Sequence, residues 1–488
     1  MPGIIRKIAL GLLLIFALFL LLLVVVAMRF NPNDYKPQVI ELVQQKKHRT
    51  LTIPGEIKLR FFPKIGADLG AVTLSERDSS AQFASVQSAS VSLALWPLLK
   101  QQVIVDRVMI DGVHVELKRD KQGKMNIDDL LEKQEASDSK VQLDIDSIHI
   151  GNADFIFDDQ QGQRRIELSK VNMESGRIAS GVPSKLDLRA QLKMNNPAVD
   201  LALALKGGFT IDFDKQDVKL KEVELALNGK AQKLSEIDLK LAGNLSSSGG
   251  NLQVESFSLA GKAKNGAQQL ELKGTLPHLE LVAQQAKAEK MSWQAKLQEG
   301  KRNVVLDLAI PAFSGSAAGV DLPKVEIQLG LQDSNLNARA GLDANWHANF
   351  DKMRIEGRQL KLTLDGKQGD LALSGQLAAQ LVADLKAQKF DLQGMTSNWT
   401  LPNPKGGGLK LSLDGNAAFD GVKQNLSSLL KGKLDESQFD ARVAVQMAAT
   451  PGYELNLNVD KIDLDRYQAA PETPKTAPAN ADPALDLS

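Results

Sequence analysis

Apolar and polar residues alternate along most of the chain from Leu51 onward. Side chains of a β-strand point alternately to opposite faces, so this period of two predicts half-buried strands. The clearest runs are 91–95, 103–110, 113–117, 143–145, 201–205, 223–227, 325–327, 360–364, 409–413 and 455–459. We therefore predict a mainly β body in which antiparallel strands expose one apolar face and one polar face.

Four dipeptides of the type that favours tight turns stand among these runs. They are Asp111-Gly112, Asn228-Gly229, Asp365-Gly366 and Asp414-Gly415, and each predicts a β-hairpin. Residues 105–117 also align with residues 145–157 at an offset of forty, and both segments look like strand, turn and strand. The body is thus predicted to grow by addition of hairpins.

The length of the body restricts its architecture. Some 420 residues at about 13 to 15 per strand give about thirty strands, and one continuous sheet would measure roughly 130 to 150 Å. Sheets of this width twist and curl, and the sequence offers few amphipathic helices to cover the apolar face. A sandwich, a barrel or a long folded groove would each let the sheet cover itself.

An uncharged run from Ile8 to Met28 precedes this body. As a helix it would be about 31 Å long, close to the thickness of a bilayer core, so we predict a transmembrane anchor. A cleaved secretory signal is the alternative, supported by Arg6, Lys7 and the sequence Val25-Val26-Ala27, although signal cores span only about 7 to 15 residues. The charges that follow the apolar run carry little weight, because long domains translocate largely regardless of their charge. The short basic N-terminus therefore determines the orientation, and we predict that the body is exported.

Few helices are expected outside the anchor. Residues 37–47, with Asp34 as a cap, have the pattern of a short amphipathic helix. A short helix is predicted at 126–131 with Asn126 as its cap, and another near 422–430. Residues 469–488 contain four Pro and six Ala, which is typical of a linker.

Composition and motifs argue against catalysis and against nucleic acid. Lys plus Arg and Asp plus Glu both number 59, there is no Cys, and the five His are scattered, which disfavours a nucleic-acid footprint, thiol chemistry and a zinc site. The Asp pairs at 144/146, 212/214 and 463/465 lack further calcium ligands. Ser428-Leu429-Leu430-Lys431 lacks the companion motifs of penicillin-binding enzymes. We expect no enzyme activity, cofactor or metal.

Several segments resemble the AsmA family. At the N-terminus they include residues 31–37, 51–57, 61–63, 69–74, 90–93, 95–99 and 126–131, and near the other end residues 462–467, which precede the Pro-rich stretch. The resemblance implies a single-pass protein of the bacterial inner membrane, with a periplasmic body and a role in outer-membrane biogenesis. The family is also similar to chorein-like bridge proteins, whose sheets form apolar grooves proposed to carry phospholipids. The resemblance therefore favours the groove.

The resulting domain prediction has five parts. They are a cytoplasmic N-terminus (1–7), the transmembrane helix (8–28), a juxtamembrane amphipathic helix (29–50), a periplasmic β-groove domain (51–468) and the linker (469–488). The family usually continues into a further β-region after the linker, whose start residues 485–488 resemble, so we expect this chain to be a truncated form. An inner membrane, phospholipid acyl chains and an outer-membrane or periplasmic protein are the expected partners.

Val113, Val115 and Leu117 are the candidate groove residues. Strand alternation places these three on one face and His114 and Glu116 on the other. The first function hypothesis is a lipid conduit lined by such residues. The alternative is an assembly or scaffolding factor whose exposed strand edges pair with an outer-membrane β-protein.

Overall fold

The computed structural model describes residues 31–60, 64–93, 105–131, 144–403, 407–447 and 451–463. The chain is mainly β, with 73% of its described residues in strands. It divides into two compact units, residues 1–266 and 267–488. Each unit carries an open sheet, and the prediction of a mainly β chain is confirmed.

Two α-helices occur in the described part of the first unit. Helix α1 (Lys36–Lys47) follows a 3-10 turn (Pro32–Tyr35), and the short α2 is Asp128–Leu131. Both lie where helices were predicted. The predicted cap Asp34 is wrong, because Asn31 caps the 3-10 turn and α1 begins without a side-chain cap. The side-chain oxygen of Asn126, the predicted cap of α2, accepts the Lys118 N–H at 2.8 Å instead.

The first unit contains strands β1 to β17. Their bounds are β1 Leu51–Thr52, β2 Lys58–Arg60, β3 Ile65–Leu69, β4 Val72–Ser75, β5 Gln82–Val86, β6 Ser88–Leu93, β7 Val105–Asp111, β8 His114–Arg119, β9 Asp144–Ile145, β10 Ile148–Asp159, β11 Arg164–Ser175, β12 Ile178–Ala179, β13 Ser184–Met194, β14 Val199–Asp212, β15 Asp217–Ala231, β16 Leu234–Ser248 and β17 Asn251–Asn265.

The sheet of the first unit forks at β10. The first part of β10 pairs in parallel with β7, and its second part pairs in parallel with β8. One branch continues from β7 through β6 and β3 to β2, and the other continues from β8 through β5 and β4 to β1. On its opposite side β10 pairs with β11, and β11, β13, β14, β15, β16 and β17 then follow as an antiparallel ladder.

The forty-residue repeat is real, but its predicted hairpins are not. Ile148 pairs with Val108 and Phe155 with Val115, so the two copies lie side by side, in parallel and offset by forty. No hairpin forms at Asp111-Gly112 in the described structure; the Gly112 N–H donates to Gly151 O at 3.0 Å, at the kink between β7 and β8.

The second unit contains strands β18 to β29. Their bounds are β18 Gln268–Val282, β19 Gln285–Glu299, β20 Arg302–Ser316, β21 Gly319–Gln332, β22 Leu336–Asn349, β23 Arg354–Gln368, β24 Leu371–Asp384, β25 Lys389–Pro402, β26 Gly408–Asp420, β27 Asn425–Leu434, β28 Ser437–Gln446 and β29 Gly452–Val459. Consecutive strands pair antiparallel from β18 to β29.

The remaining three turn dipeptides lie inside strands, so those hairpin predictions are wrong. A Cβ at Gly229 would lie 2.2 Å from Asp200 O, and a Cβ at Gly415 would lie 2.1 Å from Leu429 O. Glycine in these strands therefore allows a close backbone approach, which is its other common role in sheets. The helix predicted near 422–430 is also wrong, since residues 425–434 form β27.

Bulges interrupt many of the long strands near their middle. Glu222, Lys170 and Gly394 adopt positive φ there, and their backbone N–H groups are turned out of the ladder. The Glu222 N–H donates to Asn244 Oδ1 at 2.7 Å, and the Gly394 N–H donates to Asn416 Oδ1 at 2.8 Å. Side chains on the neighbouring strand thus satisfy the freed donors, and each bulge adds local bend and twist.

Each sheet is a single layer in its described part. All of the extensive contacts of the second unit join strands that are neighbours in the sheet. Among its described residues, the buried apolar ones are four alanines and Val325, whereas a sandwich of this size would bury Leu and Ile from two facing sheets. The described structure of the second unit is therefore not a sandwich.

Candidate functional site

A continuous aliphatic surface covers one face of the second unit's sheet. Residues that are paired across neighbouring strands share a face, and the register aligns aliphatic residues from strand to strand. One row consists of Leu308, Ile327, Leu342, Leu362 and Leu377, and a second row consists of Leu306, Leu329, Ala340 and Leu364. We call this surface the aliphatic face.

The aliphatic face is partly open to solvent. The exposed fractions are 41% for Leu306, 42% for Leu329 and 37% for Leu362. Single exposed leucines are ordinary, but a contiguous exposed apolar surface marks a binding site for a protein, a membrane or a ligand. The face is therefore the main candidate for ligand binding.

Tryptophan and glycine form cross-strand pairs on this face. The pairs are Trp293 with Gly274, Trp346 with Gly357 and Trp399 with Gly375. A Cβ at Gly375 would lie 2.2 Å from the ring of Trp399, and the other two pairs are similarly close. Each indole thus lies over a glycine and covers backbone that would otherwise be bare.

The first unit has an aliphatic face of the same kind, and the sequence-predicted residues lie at its beginning. Val115 pairs with Phe155, which pairs with Leu168. Leu117 is two residues along the same strand face, and Val113 packs against the buried cluster that contains Ala153. The row continues through Leu192, Leu201, Leu203, Leu205, Leu225, Leu227, Leu239 and Leu241 on the following strands.

The opposite face of the second unit is polar and holds a cavity of about 1010 Å³. The side chains around it include Asp307, Arg339, Asp365, Gln376 and Asn398. This cavity does not coincide with the aliphatic face. Because an acyl chain there would displace water from charged groups without replacing their hydrogen bonds, the aliphatic face is the better apolar site.

A buried arginine joins α1 to the sheet of the first unit. Arg49 is fully buried, and its guanidinium donates to both carboxylate oxygens of Asp129, at 2.8 and 2.7 Å, and to Ser75 O at 2.9 Å. It also donates to Asn126 O and lies over the ring of Phe83. The hydrogen bond from Arg49 lowers the pKa of Asp129, although burial opposes the shift.

A second buried carboxylate lies at the end of β10. Arg119 donates to both oxygens of Asp159, and the Gly162 N–H donates to Asp159 Oδ1 at 2.9 Å. The hydrogen bond from Arg119 is the largest cause that lowers the pKa of Asp159. The Arg49–Asp129 pair joins the segment after α1 to α2, and the Arg119–Asp159 pair joins the ends of β8 and β10. Neither pair lines one of the cavities described for this structure.

Within the described ranges, no group of three or more His, Cys, Asp or Glu is arranged to hold a metal ion. The Asp pair 144/146 contacts Arg177 instead, and Asp212 accepts hydrogen bonds from the backbone of its own turn. Ser428 and Lys431 lie in the strand β27. These residues have local structural contacts, which the sequence could not distinguish from ligand sites.

Comparison with known proteins identifies the family. A model of the AsmA family matches residues 5–484. This chain belongs to the AsmA family. Protein AsmA of Escherichia coli (strain K12) is 26% identical over 106 residues, which cover 20% of this chain and 17% of that protein. No solved structure matches.

Membership of the AsmA family suggests a membrane-associated protein of the cell envelope. No helix among the described residues is both long and apolar enough to cross a membrane. The predicted transmembrane segment 8–28 and the predicted linker 469–488 lie outside the described residues.

Proposed function

We propose that this AsmA family protein is anchored in the bacterial inner membrane and carries phospholipid acyl chains along the aliphatic faces of its sheets in the periplasm. Family membership supports outer-membrane biogenesis or lipid transport in general. The observation that carries the finer proposal is the aliphatic face itself. It is continuous across neighbouring strands and partly exposed in a single-layer sheet.

The energetics of lipid transfer explain why such a face is useful. Burying one CH₂ group is worth about 0.8 kcal/mol, so a diacyl lipid with about 30 of them faces a barrier on the order of 20 kcal/mol when it enters water. An aliphatic surface replaces much of the apolar contact that the acyl chains lose when they leave the bilayer. In this proposal the sheet curls lengthwise into a groove around the chains, and the headgroup stays in water.

The roles of the side chains follow from the two faces. Leu308, Leu342 and Leu362 contact acyl chains, while Asp307 and Thr363 on the same strands lie on the opposite, polar face. In the first unit, Val113, Val115 and Leu117 belong to the lining. Acyl chains bind without a chemical step, so the proposal includes no enzyme activity, cofactor or metal.

Photo-crosslinking in cells tests the proposal. A photoreactive amino acid is placed at Leu362 or at its neighbour Thr363, and in the first unit at Val115 or at its neighbour His114. We expect phospholipid adducts, identified by mass spectrometry, at Leu362 and Val115 but not at Thr363 or His114. Equal capture at both members of each pair, or lipid capture at neither, would reject the proposal.

An assembly role is the second candidate, and the edge strand β29 favours it. Among the described strands, β29 pairs with β28 alone, and Tyr453 and Leu455 are 77% and 63% exposed. Such an edge can accept a strand of another protein. Protein adducts at Tyr453, together with no lipid adduct at Leu362, would place this role ahead of lipid transport.

A further inference from the structure

Three turns of the second unit share one construction. Each begins with Asn349, Asp384 or Asp420, whose side-chain oxygen accepts the backbone N–H of the third residue after it, at 2.8, 2.8 and 3.0 Å. Each ends with a residue in the left-handed conformation; these residues are Met353, Gln388 and Gln424. The side-chain hydrogen bond fixes the loop, so the two residues at its tip project in a defined direction.

The three turns lie at the same end of the strands, and we call each of the two strand ends a side of the sheet. They connect β22 to β23, β24 to β25 and β26 to β27, which are alternate connections of one antiparallel ladder. Neighbouring strands are about 4.8 Å apart, so successive turns are about 10 Å apart. We call residues 349–354, 384–389 and 420–425 the lysine rim.

Each turn of the lysine rim exposes at least one large apolar side chain near one lysine, and the first turn also exposes Met353, at 49%. Phe350 is 53% exposed, Leu385 is 39% exposed and Val422 is 71% exposed. Lys352, Lys386 and Lys423 are the accompanying lysines, and all three are exposed. No ion pair involving these lysines is found within the described residues, so their charges face solvent.

The opposite side of the same sheet has the reverse charge. Its fully described connections are residues 300–301, 333–335, 369–370 and 435–436, which hold four acidic residues and one lysine. On the lysine-rim side, the fully described connections are residues 283–284, 317–318, 350–353, 385–388 and 421–424, and they hold three lysines and one aspartate. The two sides of the sheet therefore differ in charge, and the apolar-lysine pairing is confined to one of them.

We infer that the lysine rim docks on the surface of an anionic phospholipid bilayer. An apolar side chain next to a lysine suits the bilayer interface, because the apolar group enters the acyl boundary while the ammonium meets phosphate. A soluble anion would leave the apolar tips exposed, and a neutral apolar partner would leave the lysines unmatched.

A turn of the first unit has the same construction. Asp212 accepts the backbone N–H groups of Asp214 and Lys215, Phe213 is 46% exposed, and Gln216 has positive φ. Lys215 differs from the rim lysines, because its ammonium pairs with Asp212 at 3.3 Å. The combination of a polar cap, an exposed apolar side chain and a lysine thus recurs at a turn in each unit. This docking is separate from the acyl-chain binding proposed above, because it uses turn tips and not the aliphatic face.

Fluorescent labelling of the full chain tests the inference. The chain has no native cysteine, so Phe350→Cys, Leu385→Cys and Val422→Cys each supply one thiol for an environment-sensitive dye. Ser334→Cys on the opposite side is the matched control. Each labelled protein is reconstituted into vesicles of equimolar phosphatidylcholine and phosphatidylglycerol that contain a spin-labelled quencher lipid.

We expect strong quenching at the three rim positions and little at position 334. Replacing a rim lysine by glutamine should shift the docking equilibrium about fivefold toward the undocked state, the usual effect of one basic residue at an anionic surface. In vesicles of phosphatidylcholine alone, quenching at the rim positions should also decrease. Circular dichroism verifies that each variant retains its β-structure.

The outcomes separate this inference from the proposed function. The inference is overturned if the dyes at the rim positions are quenched no more than the dye at position 334. It is also overturned if rim quenching changes neither when the lysines are replaced nor when the anionic lipid is left out. Neither result bears on crosslinking at Leu362. Loss of lipid adducts at Leu362 with intact rim quenching would overturn only acyl-chain transport.

Discussion

Replacing Arg49 by methionine should loosen the attachment of α1 to the sheet of the first unit. The methionine keeps much of the volume but removes every hydrogen bond that the guanidinium donates, so the Asp129 carboxylate and the Ser75 carbonyl lose their partners. Breaking a buried ion pair from one side costs about 3 to 5 kcal/mol. That range corresponds to roughly two to three and a half orders of magnitude in the local opening equilibrium.

Hydrogen exchange followed by mass spectrometry measures this effect. Amides of β1 and β4, which are paired beside Arg49, should exchange much faster in the variant. Arg60→Met is the matched control, because Arg60 pairs with Asp68 but is 53% exposed, and such surface pairs contribute about 0 to 1 kcal/mol.

A double variant tests the cause. Adding Asp129→Leu to Arg49→Met removes the orphaned carboxylate, so protection of β1 and β4 should partly return. If Arg49→Met changes exchange no more than Arg60→Met does, the idea that this buried pair holds α1 to the sheet is refuted.

Three further predictions concern pH and glycine. The pKa of Asp129 is lower in the folded protein than its ordinary value, so its stabilising contribution is present above the ordinary carboxyl pKa and is lost as pH falls through the lower folded value. Protection of β1 from hydrogen exchange should therefore hold from neutral pH to about pH 5 and decline only in stronger acid. A decline above pH 5 would contradict this. Gly375→Ala would place a Cβ 2.2 Å from an indole ring, whereas Gly330→Ala would place one 3.9 Å from the nearest atom. In denaturation measurements the first should lower the free energy of unfolding by about 1 to 3 kcal/mol, and the second should change it little. Gly366 lies inside a strand, and a Cβ there would have its nearest contact at 3.6 Å, so Gly366→Ala should be tolerated. Gly369 has φ +60°, so Gly369→Ala should lower the free energy of unfolding by about 1 kcal/mol in the same denaturation measurement. The reverse order would support a hairpin at residues 365–366.

Strand alternation predicted the strands and their faces well, because it reports directly on which side chains share a surface. Residues 201–205 and 360–364 lie in long strands with their leucines on one face. The turns were predicted poorly. Some true connections, such as Ala283-Gln284 and Ala317-Ala318, carry no turn signal, while glycine inside strands serves close backbone approach.

The buried Arg–Asp pair could not be found from the sequence. Arg49 follows Lys46 and Lys47 and looks like part of a basic surface segment, and its partner Asp129 is eighty residues away. The bulges are similarly hidden, since Glu222 and Gln359 have no special tendency to positive φ. These features depend on contacts between strands, which a one-dimensional pattern does not contain.

The single-layer construction of the second unit makes its cooperativity nearly one-dimensional. Each strand exchanges its extensive contacts only with the strand before it and the strand after it, as repeats do in solenoid proteins. Removing two consecutive strands would keep the order of faces and the side on which each turn lies, whereas removing one would invert both. Changes in the length of this ladder should therefore occur in steps of two strands, with stability changing in proportion to the number of strand interfaces.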